Sequence, residues 1–263
     1  AIASYDQTTF PNTNTYSNQG ISGIESLNAF SNQTLDLPSG WSIFSTYILP
    51  NELNIDSVFV TISQDIIMIK SGNGLVYWPE YFINNIVDMI AGQGYLVKML
   101  NAQTIDVEGI ILIPEVTEIP IVSGWSIIGY LRQSSAPIDQ MLSDIVQNII
   151  MVKSGSGLVY WPTYFINNIG DMHPGQGYRI KLTVADTLIY SANTYSNVSK
   201  SETYDSNPDS QIKSTGSNMV LGIPNYAWTV KPKVGSEINV FSESGILVGK
   251  ATYQGKNMAI TIW

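Results

Sequence analysis

The chain of 263 residues has no cysteine, a single histidine and few charges. The absence of cysteine excludes disulfides, thiolate metal sites and a thiol nucleophile. Only 13% of the residues are charged, and 12 Lys and Arg face 21 Asp and Glu, for a formal net charge of −9. Because binding to a phosphate backbone requires clustered basic residues, we expect no nucleic-acid partner. No apolar run approaches the roughly 18 residues that span a bilayer, so we expect no membrane insertion.

An internal repeat occupies the middle of the chain. Gly40-Trp41-Ser42-Ile43 recurs as Gly124-Trp125-Ser126-Ile127, at an offset of 84 residues. Residues 68–79, 81–86 and 92–95 recur further on at an offset of 83 residues. Self-similarity at a fixed period is the signature of repeated structural units. We therefore predict two tandem homologous modules, residues 35–118 and residues 119–190.

Each module is predicted to be a small α+β unit that is mostly strand. Residues 41–49 are rich in aromatic and β-branched residues, which favours a strand, and residues 51–62 carry the apolar spacing of a short helix. Two hairpins are predicted, one joining residues 65–70 to 75–78 through glycines and one joining residues 94–100 to 102–107. Trp41 and Trp125, on the first strand of each copy, are predicted to lie in the core.

Three further segments flank the repeat. Residues 1–34 are a polar N-terminal segment, and residues 191–218 are a polar linker. Short strands are predicted at residues 219–223, 227–230, 238–241, 246–249 and 258–263, and their spacing of about ten residues is the pattern of an antiparallel sandwich-like unit. The predicted fold class is therefore mainly β, with one short helix per repeat. The start at Ala1 without an initiator Met and the strand-like end at Trp263 predict a segment of a longer chain.

The repeat resembles a known type of module. The Gly-Trp-Ser-Ile opening, the Tyr-Trp-Pro segment and residues 169–178 are similar to modules of large secreted or cell-surface proteins of Bacteroidetes-type marine bacteria. Residues 235–241 and 247–251 resemble a β unit that accompanies such repeats, and similar units occur in phage fibre proteins. The resemblance implies a secreted or extracellular location, at a cell or particle surface. It attaches no catalytic role to these modules.

The repeat gives little support for an acid–base catalytic site. The single histidine, His173, corresponds to Ile90 in the first copy, so a site shared by both copies cannot use it. The carboxylates present in both copies are Asp56 with Asp139 and Asp88 with Asp171. We interpret the first pair as first-turn helix residues and the second pair as Asx-turn residues. We therefore predict no catalytic residue, no metal and no cofactor.

One acidic run has some features of a calcium-binding loop. Residues 205–209, Asp-Ser-Asn-Pro-Asp, have the alternating oxygen ligands that open some calcium loops, but they lack the distal glycine and glutamate. We interpret the run as solvated linker, and calcium binding stays an alternative.

The candidate ligand-binding surface is an aromatic cluster present in both copies. Its residues are Tyr77, Trp78, Tyr81 and Asn84, with Tyr160, Trp161, Tyr164 and Asn167 in the second copy, next to Phe82 and Phe165. Strand alternation places Tyr77 and Trp78 on opposite faces, so at least one ring of the pair points away from the core. An exposed ring offers a sugar an apolar face, and amides offer it hydrogen bonds. The same rings could instead pack modules together.

Three functional hypotheses follow. The first is a non-catalytic extracellular adhesion segment that binds a polysaccharide or glycan surface through the duplicated aromatic clusters. The second is a structural fibre, filament or virion surface component, in which the rings pack neighbouring modules or identical subunits together. The third is an accessory region of a polysaccharide-degrading enzyme.

Overall fold

The structure, a computed structural model, describes residues 30–192 and 218–263. Antiparallel strands dominate these residues, and the predicted β-rich class is confirmed. Most of the predicted N-terminal segment, most of the predicted linker and the whole Asp205–Asp209 run lie outside the described residues.

The first copy is built from two sheets around one core. Its strands are β1 (Phe30–Leu37), β2 (Gly40–Ser45), β3 (Ile48–Pro50), β4 (Ile66–Ser71), β5 (Val76–Trp78), β6 (Ile83–Asn84), β7 (Gly94–Met99) and β8 (Gln103–Ile111). One sheet has the order β2-β7-β4-β5-β6 and the other has the order β1-β8-β3. Leu35 and Val107 from the smaller sheet share one buried cluster with Phe44 and Val97 from the larger sheet.

The helical segments of the first copy are short. Helix α1 (Ile55–Val58) is a single turn, and 3₁₀ turns follow at Val60–Asp65 and Pro79–Tyr81. The Asn54 side chain caps α1 by accepting a hydrogen bond from Asp56 N at 3.0 Å.

The second copy repeats the larger sheet. Its strands are β9 (Ile119–Ile121), β10 (Gly124–Gly129), β11 (Ala136–Pro137), β12 (Ile149–Ser154), β13 (Val159–Trp161), β14 (Ile166–Asn167), β15 (Asp171–Met172), β16 (Gly177–Leu182) and β17 (Asp186–Leu188). The order β10-β16-β12-β13-β14 matches the order in the first copy, and β9 pairs with β17. Helix α2 (Ile138–Met141) begins after Pro137, and 3₁₀ turns follow at Ser143–Asn148 and Pro162–Tyr164.

The second hairpin predicted in the first copy, between residues 94–100 and 102–107, is wrong. Strand β7 pairs with β2 and β4, whereas β8 pairs with β1 and β3. Between β7 and β8 the chain crosses from one sheet to the other. The buried Asp65 stabilises this crossover. Its carboxylate accepts hydrogen bonds from Asn101 Nδ2 at 2.8 Å and from Gln103 Nε2 at 2.5 Å. Strand propensity does not reveal which partner a strand will take.

The two copies contact each other directly through their backbones. Ser45 N–H donates to Gly175 O at 2.9 Å, and Gly129 N–H donates to Gly92 O at 2.8 Å. Ser45 and Gly129 are equivalent in the repeat, as are Gly92 and Gly175. Each contact is therefore matched by the same contact in reverse, which is the pattern of an interface related by a two-fold axis.

Glycines present in both copies let the two backbones come this close. A Cβ atom on Gly94 would lie 2.6 Å from Ile128 O, and one on Gly177 would lie 2.8 Å from Phe44 O. Both distances are shorter than van der Waals contact, so any larger residue would push the copies apart. Here the glycine requirement arises from packing and not from backbone dihedrals.

The two glycines of each β4–β5 or β12–β13 turn differ in their roles. Gly74 has φ 86° and Gly157 has φ 84°, the left-handed conformation that favours glycine. A Cβ atom on Gly72 or Gly155 would instead lie 2.8 Å from a backbone nitrogen of the other copy. The turns thus also form part of the contact between the copies.

The C-terminal unit consists of two antiparallel strand pairs. Its strands are β18 (Met219–Ile223), β19 (Glu237–Phe241), β20 (Leu247–Thr252) and β21 (Met258–Ile262), with β18 paired to β21 and β19 paired to β20. The strand predicted at residues 227–230 is wrong, because this segment forms a turn in which Ala227 N–H donates to Pro224 O at 2.9 Å. Tyr253, Met258 and Ile260 form the buried core of this unit.

The C-terminal unit packs against the second copy. Asn257 Nδ2 donates to Tyr164 O at 2.9 Å, and Asn168 Nδ2 donates to Ala259 O at 3.2 Å. Val159, Ile166 and Ala259 form a small buried cluster between them. One end of the second copy is therefore covered.

Replacing a shared interface glycine should destabilise the protein. We expect Gly94→Ala and Gly177→Ala each to lower the free energy of unfolding by about 1–3 kcal/mol, the usual cost of overpacking. Urea-induced unfolding measures this change. Gly74→Asn is the matched control, because a side chain there meets nothing within 4 Å and Asn tolerates the left-handed region. Equal losses in the control and the interface variants would contradict the packing argument.

Candidate functional site

Two of the predicted binding residues are core residues. Tyr77 and Tyr160 are 2% and 7% exposed. Tyr77 OH donates to Asp56 Oδ1 at 2.7 Å, and burial followed by this neighbouring carboxylate raises the pKa of Tyr77 well above its ordinary value. Burial, with Asp139 nearby, also raises the pKa of Tyr160. Neither ring is accessible to a ligand.

The predicted amides form turns. Asn84 Oδ1 accepts a hydrogen bond from Val87 N at 2.9 Å, and Asn167 Oδ1 accepts one from Gly170 N at 2.9 Å. Side-chain-to-backbone turns are predicted here with Asp88 and Asp171 as the turn residues, but the asparagines and not the aspartates close them. Asn84 Nδ2 also donates to Asn54 Oδ1 at 3.3 Å. Both asparagines therefore have a structural role in closing these turns.

The remaining predicted rings form matching pairs at the end of each copy. Trp78 and Tyr81 meet edge to face with ring centroids 4.6 Å apart, and Trp161 and Tyr164 repeat this arrangement at 4.6 Å. The tryptophans are half-buried, whereas the tyrosines are 57% and 49% exposed. We call Trp78, Tyr81 and Phe82 the first tip, and Trp161, Tyr164 and Phe165 the second tip.

The phenylalanine of each tip is strongly exposed on a strained backbone. Phe82 is 97% exposed with φ 55°, and Phe165 is 87% exposed with φ 53°. A proline-initiated 3₁₀ turn ends at each of them, because their N–H groups donate back to Pro79 O and Pro162 O. A left-handed bulky residue costs about 1–2 kcal/mol, and an exposed ring recovers little of that cost by burial. Backbone strain of this kind, present in both copies, makes the tips the candidate functional site.

The prediction that Trp41 and Trp125 are core residues is wrong. Both side chains are half-buried. Phe44, on the same strand as Trp41, is 2% exposed and lies in the core. Strand alternation places Trp41 on the opposite face of the sheet, and Trp125 occupies the equivalent position on β10.

Basic side chains surround both tryptophan rings. Lys98 Nζ and Lys70 Nζ lie 5.5 and 5.7 Å from the centroid of the Trp41 ring. The groups around the Trp125 ring are Arg179 Cζ at 5.2 Å, Lys153 Nζ at 5.7 Å and Lys181 Nζ at 5.7 Å. We call these two tryptophans and five basic residues the cationic face. The repeat carried a signal for it, because both copies keep a lysine at the positions of Lys70 and Lys98.

One lysine of the cationic face is shielded from water. Lys153 is 6% exposed, and its Nζ donates to Asn218 Oδ1 at 2.6 Å. Burial and the neighbouring Arg179 guanidinium lower the pKa of Lys153 to about 8. Lys153 and Arg179 are directly opposite each other on neighbouring strands, a like-charge pairing that is destabilising.

A serine lies next to the single histidine in the second copy. Ser135 Oγ is 2.8 Å from His173 Nδ1. Burial lowers the pKa of His173, and the charge of Asp171 partly opposes this shift. Asn51 and Ile90 occupy the corresponding positions in the first copy, so this contact is confined to one copy.

The described residues contain no group of three or more His, Asp or Glu side chains placed to hold a metal ion. Within residues 30–192 and 218–263, no helix has the length and apolar character required to cross a bilayer. Comparison of the chain with protein-family models, with curated proteins and with solved structures gave no match.

Exchanging the left-handed residue of the turns closed by Asn84 and Asn167 tests the cost of backbone strain. Val87 has φ 63° in the first copy, where the second copy has Gly170 with φ 70°. We expect Val87→Gly to raise the free energy of unfolding by up to about 1 kcal/mol, because relief of left-handed strain exceeds the entropy cost of glycine. Gly170→Val should lower it by about 1–2 kcal/mol. Chemical denaturation of both variants checks the signs, and destabilisation by Val87→Gly would contradict the strain argument.

Proposed function

We propose that this protein is a non-catalytic extracellular adhesion segment that binds a polysaccharide surface through its two tips. In this proposal residues 35–118 and 119–190 are tandem modules, and the C-terminal unit is a small sandwich-like domain that follows them. Each module presents one weak site. Two linked weak sites bind a repetitive surface more tightly than one, because the second contact is intramolecular.

The exposed, strained phenylalanine in both tips carries this proposal. Phe82 and Phe165 project flat apolar rings beside the edge-to-face pairs, which suits stacking against the apolar face of a pyranose ring. Burying one such ring removes about 150–250 Å² from water, worth roughly 4–6 kcal/mol gross. The side-chain oxygens of Asn84 and Asn167 are occupied in turns, so we assign ligand contact to rings and backbone groups instead.

Removal of both tip phenylalanines should weaken binding without unfolding the protein. The test measures retention of the chain on immobilised cellulose, chitin, xylan and mannan. We expect retention on at least one of these polymers and a loss of about tenfold or more in affinity for Phe82→Asn/Phe165→Asn, because each ring contact is lost. Stability should be retained, since Asn tolerates left-handed backbone.

The matched control changes exposed apolar residues elsewhere in each copy. Leu100 and Val184 are 61% and 53% exposed and lie outside the tips, so Leu100→Asn/Val184→Asn should bind like the unmodified chain. Retention that survives in the tip variant would contradict the proposal. Failure to bind any of the four polymers would remove neutral sugars as ligands.

A second candidate function is supported by the unequal surroundings of the two copies. Ile166 is 3% exposed because the C-terminal unit covers it, whereas the equivalent Ile83 is 40% exposed. In the second copy, Tyr164 and Asn168 form hydrogen bonds with the C-terminal unit. Tyr81 and Asn85 are the equivalent residues of the first copy. The first copy therefore keeps the same docking residues uncovered. In a fibre or particle surface, the C-terminal unit of an identical subunit would occupy them.

The fibre hypothesis predicts concentration-dependent association. We expect sedimentation velocity to detect oligomers that Ile83→Asp reduces at least several-fold, because a buried unpaired carboxylate opposes docking. Ile90→Asp is the matched control, since Ile90 is 56% exposed in the same copy and lies outside the covered face. A chain that remains monomeric at every concentration would exclude this role.

A further inference from the structure

The basic residues of the repeat region are distributed very unevenly. Residues 30–192 contain fourteen carboxylates and six basic residues. Five of the six basic residues surround Trp41 or Trp125, and the sixth, Arg132, is buried elsewhere. Within residues 30–192, this distribution concentrates positive charge in a region that is otherwise acidic.

Within residues 30–192 and 218–263, no carboxylate forms a salt bridge with the cationic face. A salt bridge in the C-terminal unit joins Lys250 and Glu237 at 3.4 Å. Lys153 and Arg179 even lie opposite each other across two strands, where a carboxylate would have been stabilising. A cluster of like charges that the fold does not compensate is expected to attract an external anion.

The geometry of the first cluster suits a flat anionic ligand. Trp41 and Lys98 are directly opposite each other on β2 and β7, and Lys70 lies on the next strand, β4. The three side chains are half-buried, and both lysine ammonium groups lie over the Trp41 ring. Trp41 and Leu96 of the first copy line a small cavity together with Arg179 of the second copy and Trp263. The two basic clusters therefore lie next to each other.

We propose that the cationic face binds an acidic polysaccharide, with the tryptophan rings stacked on sugar rings and the surrounding Lys and Arg side chains donating hydrogen bonds to carboxylate or sulfate groups. The choice of a sugar polymer rests on the proposed function, but the surface is distinct from the tips. Nucleic acid is disfavoured, because its dense phosphate backbone would meet the fourteen carboxylates of the same region.

The test uses the full chain and polymers that differ in charge alone. Native-gel retardation is measured with dextran sulfate, neutral dextran, polygalacturonate and its methyl ester. We expect at least one of the two anionic polymers to bind and both neutral partners to fail. Binding of dextran sulfate alone assigns a sulfate ligand, and binding of polygalacturonate alone assigns a uronate ligand. Binding of neither, or equal binding of the neutral partners, overturns the proposal.

Variants then locate the site. Lys70→Gln/Lys98→Gln should weaken binding of the anionic polymer about tenfold, the loss expected for charge-assisted hydrogen bonds. Lys231→Gln/Lys233→Gln removes the same charge from exposed positions of the C-terminal unit and should change the affinity less than about twofold. Equal losses in the two variants would reduce the effect to overall charge. Circular dichroism checks that both variants remain folded.

Two further measurements separate this proposal from its alternatives. The tip variant Phe82→Asn/Phe165→Asn should bind dextran sulfate or polygalacturonate normally. Loss of binding in the tip variant, with the lysine variant unaffected, would overturn the assignment to the cationic face and leave the proposed function standing. Retardation by double-stranded DNA at the same charge concentration, equally lost in the lysine variant, would show a general polyanion surface and overturn the assignment to sugar.

Discussion

The close approach of two glycine backbones is the constraint on which the rest of the structure depends. Gly94 and Gly177 face each other across the two copies, and a Cβ atom on Gly177 would lie 3.3 Å from Gly94 Cα. Because reciprocal backbone hydrogen bonds accompany this contact, it fixes the orientation of one sheet against the other. The contact uses the turn glycines as well, so it leaves the aromatic tips free of the junction between copies. Because backbone and not aromatic rings joins the two copies, neither tip is used in that junction, and the C-terminal unit packs against Trp161 of the second tip.

The repeat shows how one fold tolerates different solutions at equivalent positions. In the first copy the Asp65 carboxylate accepts from Gln103, whereas in the second copy Asn148 donates to Asp186 at 2.8 Å. The carboxylate and the amide have exchanged places, and the hydrogen bond is kept. A buried donor or acceptor without a partner is costly, so the two positions must change together. The bond therefore belongs to the fold, and neither carboxylate needs a catalytic explanation.

Local pattern predicted the strands well and their partners poorly. The hairpin of β4 and β5 follows from apolar runs around a glycine turn, and the alternation of Tyr77 and Trp78 follows from the two-residue period of a strand. The crossover after β7 and the exposed position of Trp41 depend on contacts between residues far apart in sequence. Trp41 was assigned to the core because it is aromatic, yet Phe44 on the same strand occupies that face. The sequence groups Trp78 and Tyr81, and their rings are in edge-to-face contact. The turn closed by Asn84 depends on its hydrogen bond with Val87 N, which the sequence does not reveal.

In the roles proposed for them, the two surfaces would contribute to recognition in different ways. Exposed rings at the tips give short-range contacts that are insensitive to salt, whereas the cationic face gives an attraction that salt screens. Each copy carries both features, so a polymer that touches one copy raises the effective concentration of the other. Carboxylates outnumber basic residues over residues 30–192, so this region would repel an acidic polymer away from the cationic face. In this proposal, the charge of the surrounding surface adds to the specificity of the weak sites.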